Sequence, residues 1–96
     1  MAEATVEVRN PSGLHARPAA TFVKAAARFG CEIRVTNMTR NPEKSASAKS
    51  VLGVLGLGVI QGHTVRISAD GEDADDAVSS LIEMVHTGLG EQVDTP

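Results

Sequence analysis

The chain has 96 residues, enough for one compact domain and too few for a second core. Hydrophobic residues make up 42% but aromatics only 2%, with Phe22 and Phe29 and no Trp or Tyr. The core is therefore aliphatic, and the scarcity of aromatics argues against the stacking platforms that grip single-stranded nucleic acid. A net charge of −3 gives no general attraction for DNA, RNA or an anionic membrane, so any anion chemistry must come from a local site.

Cys31 stands alone, so no internal disulfide forms, which fits a reducing compartment. No basic N-terminal stretch leads into an apolar run, and the longest such run, Val51 to Ile60, is too short to cross a bilayer. The expectation is a small cytoplasmic domain over 1–90, with a frayed tail over 91–96.

Thr5 to Arg9 alternates polar and apolar, the period of a strand with one buried face. Asn10-Pro11-Ser12-Gly13 is a cluster of turn formers. From His15 or Ala16 to Phe29 the pattern is helical: Ala19, Phe22, Val23, Ala26 and Phe29 share one face, and Arg17, Thr21, Lys24 and Arg28 another. Gly30 is the expected stop. Glu32 to Thr36 alternates as a second strand, Asn37 to Lys44 is a polar loop, and Ser45 to Ala48 alternates weakly as a short third strand. Ser50 then suits the cap of a short helix through Leu57. Thr64 to Ala69 is a fourth strand. The acids at Glu72, Asp73, Asp75 and Asp76 sit where the positive end of a helix is expected, and its apolar face runs from Ala74 to Val85. The order β-α-β-β-α-β-α predicts an α+β fold with helices on one face of a mostly antiparallel sheet.

The segment with the most chemistry is Asn10 to Ala20. It reads as strand, tight turn and helix start, which places His15 beside backbone N–H groups and a dipole that favour an anion. Pro18 costs little in a first turn, where N–H groups lack intrahelical partners. Arg17 carries a guanidinium suited to phosphate oxygens. An imidazole, an anion-binding helix end and a mobile Arg suit reversible phosphoryl transfer. A lone His in a turn is more often a plain surface residue, and Ser12 serves equally as a turn or cap residue, so the chemistry alone does not decide.

Gly13-Leu14-His15-Ala16-Arg17-Pro18-Ala19 resembles the phosphorylation signature of the HPr family, the histidine phosphocarriers of the bacterial phosphotransferase system. Lys44-Ser45-Ala46-Ser47-Ala48-Lys49-Ser50, the Leu-Gly-rich segment after it, and Ile67 to Asp73 resemble the same family, so the likeness runs from about Thr5 to Val85.

The resemblance implies an open-faced β-sandwich, a four-stranded antiparallel sheet covered on one face by three helices. It implies a carrier, not an enzyme, needing no cofactor and no metal. His15 is then the phosphoryl acceptor on its δ1 nitrogen, charged by enzyme I and discharged to IIA components of sugar permeases. Arg17 is its electrostatic partner, with Ser12 and the backbone of Ala16 and Arg17 completing the phosphate site. Ser50 matches the family's regulatory serine, a substrate of HPr kinase/phosphorylase whose phosphorylated form binds a transcription regulator. The implied docking surface is Ala16, Arg17, Ala20 and Lys24 with Val51, Leu52 and Leu55. Leu52 is the firmest exposed residue of these, since Val51, Val54 and Leu55 cannot all point outward. A monomer is expected.

Two departures stand out. The loop Asn37 to Lys44 is about four residues longer than the family pattern, an insertion that a surface hairpin absorbs cheaply. Ala27 replaces a basic residue common one turn after Lys24, with Arg28 beside it. His63 and His86 carry no motif and read as surface residues. The alternatives are a nitrogen-branch phosphotransferase regulator, an HPr domain of a multidomain fusion (against which Met1 and the short tail argue), and a non-catalytic regulator acting through Ser50. A metal-binding or RNA-binding module of similar topology has little support, given three scattered histidines and one cysteine.

Overall fold

A computed structural model of the protein describes residues 1–90; the tail over 91–96 lies outside the described residues. Seven elements follow in the expected order: β1 (Ala2–Glu7), α1 (Ala16–Ala26), β2 (Glu32–Asn37), β3 (Ser45–Ser47), α2 (Val51–Gly56), β4 (Thr64–Asp70) and α3 (Ala74–His86). The strands form one sheet in the order β1-β4-β2-β3, and every neighbouring pair is antiparallel.

The register explains the layering. Ala4 pairs with Ile67, Ile67 with Val35, and Val35 with Ala46, so one row of aliphatic side chains crosses all four strands on one face. Val6, Val65, Ile33 and Ala69 fill the rows beside it. With a side-chain period of two, the opposite face carries Glu3, Ser68, Arg34 and Ser47 in one row and Thr5, Arg66, Thr36 and Ser45 in the next. The helices cover only the aliphatic face. α3 lies against β1, β4 and β2, and α1 packs beside both α2 and α3. Phe22 of α1, with Leu14, Ile67 and Leu81 around the same core, is fully buried. Each such apolar side chain contributes about 1.5–3 kcal/mol relative to exposure.

Several boundaries differ from the sequence reading. β1 begins at Ala2, not Thr5, because Ala2 and Ala4 face the helices and pair with Ala69 and Ile67; alanine is a poor strand signal. α1 ends at Ala26, three residues short of Phe29. There its last turn tightens, with Arg28 N–H donating to Ala25 O and Phe29 N–H to Ala26 O. Phe29 and Val23 are half-buried at the edge of the helix face. β3 stops at Ser47, since Ala48 turns inward and donates its N–H to Ile33 O. Asn37, assigned to a polar loop, ends β2 and is 1% exposed.

No helix among the described residues is long and apolar enough to cross a membrane, and no group of three or more His, Cys, Asp or Glu side chains gathers as metal ligands there.

Candidate functional site

The loop carrying His15 is held from both sides. Before it, Val8 leaves β1 fully buried; its N–H donates to His63 O and its carbonyl accepts from Gly62 N–H, each at 2.8 Å. The turn over residues 10–13 closes twice, Gly13 N–H donating to Asn10 O at 3.1 Å and the buried Asn10 amide donating to Gly13 O at 2.9 Å. Gly13 has φ +59, the left-handed region, and a Cβ there would strike Val59 O and lie 2.8 Å from the Ile60 Cα. Leu14 is fully buried and donates its N–H to Val59 O at 3.1 Å. The 59–60 segment is thus a floor on which residues 13–14 rest.

His15 follows as the N-cap of α1, in extended backbone (φ −128, ψ 156), with no side-chain capping bond. Its half-buried ring is therefore not committed to the helix end. Ala16 has φ +52, a conformation that costs an L residue about 1–2 kcal/mol. Arg17 is exposed, and Pro18 is buried two residues into the helix. In this first turn the N–H groups of Ala16 and Arg17 have no intrahelical partner, Pro18 has none to offer, and no acidic residue is present. A helix end of this kind favours an anion beside His15. Ser12 lies exposed in the turn before it.

The second predicted site residue is placed by a different cap. Ser50 is the N-cap of α2, and its Oγ accepts from Gly53 N–H at 3.0 Å. A Cβ on Gly53 would lie 3.2 Å from both that oxygen and the Ala46 Cβ, so the glycine keeps the cap and β3 close. Of the expected docking residues, Ala16, Arg17, Ala20 and Lys24 are exposed on α1. On α2, Leu52 is 83% exposed and Val51 42%, Leu55 is half-buried against the core, and Val54 is fully buried.

Sequence reasoning missed three residues around this site. Ile60, 53% exposed, stands on the floor under Gly13; the only signal was an apolar residue set between Val59 and the Gln61-Gly62 turn. His63 is not a free surface residue. Its Nδ1 lies 3.0 Å from the Asn37 Nδ2 and accepts from Ile60 N–H at 3.4 Å, so the ring ties the floor to the end of β2. Asn37 completes that tie by donating to Leu57 O at 3.1 Å. His86, by contrast, is exposed in the last turn of α3.

Charge is segregated along the chain. Residues 8–31 hold Arg9, Arg17, Lys24 and Arg28 with no carboxylate, and residues 44–69 hold Lys44, Lys49 and Arg66 with none. From Asp70 onward every charged Asp, Glu, Lys or Arg is acidic. α1, with Arg17 and Lys24 and no acid, is therefore locally cationic on a molecule of net charge −3, while α2 itself carries no charge and is preceded by Lys49. Beside α3, the Asp73 carboxylate accepts from Gly30 N–H at 3.1 Å. It is held below the usual carboxylate range, first by the Cys31 thiol and then by that N–H, while burial and Asp73 push the Cys31 thiol up.

The family model described as PTS HPr component phosphorylation site matches residues 2–87. The multiphosphoryl transfer protein of Haemophilus influenzae is 46% identical over 89 residues, covering 93% of this chain and 18% of that protein. This chain thus spans less than a fifth of that relative's length. Among solved structures, HPr-C-His from Thermoanaerobacter tengcongensis superposes with a TM-score of 0.88 at 41% identity, covering 97% of this chain and 100% of that one. An HPr dimer from the same organism gives 0.71 at 42% identity, covering 95% and 100%.

Proposed function

The chain belongs to the PTS HPr family, and from that premise we propose that His15 accepts a phosphoryl group from phosphorylated enzyme I and passes it to a IIA component of a sugar permease. The observation that carries this reading is the state of His15: a helix N-cap whose ring does no capping, on a braced loop, beside first-turn N–H groups and Arg17. Transfer makes one P–N bond on the imidazole as another breaks on the donor, and the protein's part is to position the ring and hold the phosphoryl oxygens. Arg17, the backbone N–H groups of Ala16 and Arg17, and Ser12 in the preceding turn form the phosphate site. Ala20, Lys24, Val51, Leu52 and Leu55 extend the docking face, an apolar centre with a cationic rim. The unit that acts is the single domain over 1–90, working in the cytoplasm.

Ser50 serves as a second phosphorylation site, for an HPr kinase/phosphorylase. A phosphate on a helix N-cap is compatible with the helix, and it places negative charge on the otherwise cationic face, so it opposes docking of acidic partners and favours a different one, a transcription regulator.

The second reading, that this domain works as part of a fusion, is favoured by the Haemophilus influenzae relative, a far longer chain. The dimeric relative is likewise a reason to measure the oligomeric state instead of assuming a monomer. The primary test is incubation with phosphoenolpyruvate and enzyme I, followed by intact mass. The expected result is one acid-labile phosphate, absent in His15→Ala; no adduct, or one that survives the substitution, sinks the carrier reading. Incubation with HPr kinase and ATP is expected to add an acid-stable phosphate that Ser50→Ala removes.

A further inference from the structure

The connection between β2 and β3, residues 38–44, is folded in place. Asn37 Oδ1 accepts the N–H groups of Thr39 and Arg40 at 3.2 Å each, Asn41 N–H donates to Asn37 O at 2.9 Å, and Thr39 Oγ1 accepts Thr64 N–H at 2.9 Å. With the Asn37 amide bonded to Leu57 O, these contacts hold the loop against the C-terminal end of α2. The Arg40 guanidinium lies over Gly58, so close that a Cβ on that glycine would collide with it. Between loop and helix end is a cleft of about 100 Å³ lined by Asn37, Arg40, Asn41, Lys44, Gly56 and Leu57. No carboxylate lines it, and the loop's own acid, Glu43, is not among the lining residues.

Its size and composition decide what it fits. A small-molecule site usually needs roughly 300–1,000 Å³, so this cleft is too small to bury a metabolite. Two cations and two amides make it unfit for an apolar side chain, and a single carboxylate head group fits both the space and the charge. The cleft is connected to the site through the backbone. Gly58, under Arg40, precedes Val59, whose carbonyl holds Leu14 beside His15, and the exposed Leu52 stands on the same short helix.

We propose that the cleft of Arg40 and Lys44 is a docking pocket for an acidic side chain of the protein that phosphorylates His15, and so a determinant of partner choice. The proposal rests on the carrier reading above. A competing role is structural: α2 has no basic residue in its last turn, and cations near a helix C-terminus stabilise it. The two differ in what they move.

The test is steady-state phosphorylation by enzyme I and phosphoenolpyruvate, with the carrier as varied substrate, for the parent, Arg40→Ala, Lys44→Ala, the double variant and Arg40→Lys. The double variant is expected to raise KM about three- to tenfold at low salt, with kcat and Tm unchanged. The difference should shrink towards none at high salt, and Arg40→Lys should retain most of the affinity. An unchanged KM on a chain that is labelled at His15 overturns the docking pocket and leaves the carrier reading intact. A fall in Tm with unchanged KM assigns the cations to the helix end, and overturns it too. Failure of the parent to take phosphate defeats the carrier reading and this proposal with it.

Discussion

The bracing of the His15 loop makes Gly13→Ala a decisive perturbation. At φ +59 an alanine costs about 1–2 kcal/mol in backbone strain. Its methyl also meets the Val59 carbonyl and the Ile60 Cα, both backbone, which no side-chain rotation can clear. Forcing such a contact costs about 1–3 kcal/mol more, for a total of about 2–5 kcal/mol. At about 4–8 °C per kcal/mol for a domain of this size, Tm should fall by about 8–40 °C. Because residues 13–14 would lift from their floor, the rate of His15 phosphorylation should fall as well, even where the variant is still folded. Gly56→Ala is the matched control. Nothing lies within 4 Å of a Cβ there, the residue is helical, and alanine should stabilise it by roughly 0.5–1 kcal/mol. Urea unfolding of both variants, with m held in common, reads the two signs directly. A Gly13→Ala loss below about 1 kcal/mol would refute the argument that this glycine is held by backbone contact.

Ser50→Ala should cost about 1 kcal/mol by removing the oxygen that accepts Gly53 N–H, and Ser50→Asp should recover most of it. A thermal melt of Ser50→Ala within 1 °C of the parent, on the scale given above, would show the cap to be idle. The Asp73 carboxylate titrates lower in the folded chain than in the unfolded one, so its contribution is present above the unfolded value and is lost as pH falls through the folded value. Tm followed downward from mild acid should accordingly fall more steeply in the parent than in Asp73→Asn. Parallel curves would remove Asp73 from the account of acid sensitivity.

Much of this was legible in the sequence because alternation and helical period are strong signals in an aliphatic chain. Val65, Ile67 and Ala69 alternate cleanly against Arg66 and Ser68, and the strand they predict is the second in the sheet order, paired on both sides. The His15 loop was visible as turn formers followed by a helix start, and the family resemblance assigned its chemistry. What stayed hidden depends on contacts between distant segments. Nothing local in Asn37 says that it is buried, because its side-chain Nδ2 reaches Leu57 and His63, 20 and 26 residues away. The left-handed Ala16 is equally silent, since alanine ordinarily avoids that region and only the surrounding loop imposes it. On α2, two or three outward positions fit the short pattern, and packing against the core decided that Leu52 is the most exposed and Leu55 is half-covered.

The segregation of charge bears on how long an encounter lasts. Attraction between a cationic face and an acidic partner acts over roughly a Debye length, about 8–10 Å, and accelerates approach far more than it slows departure. Close contact on α2 offers few large apolar groups, chiefly Leu52 and Val51, so little holds the pair once formed. The acids Asp70, Glu72, Asp73, Asp75 and Asp76, at the end of β4 and the start of α3, disfavour approach by that end of the molecule. Such a surface selects for orientation on arrival and short residence afterwards, which is the kinetic profile the proposed carrier role would require.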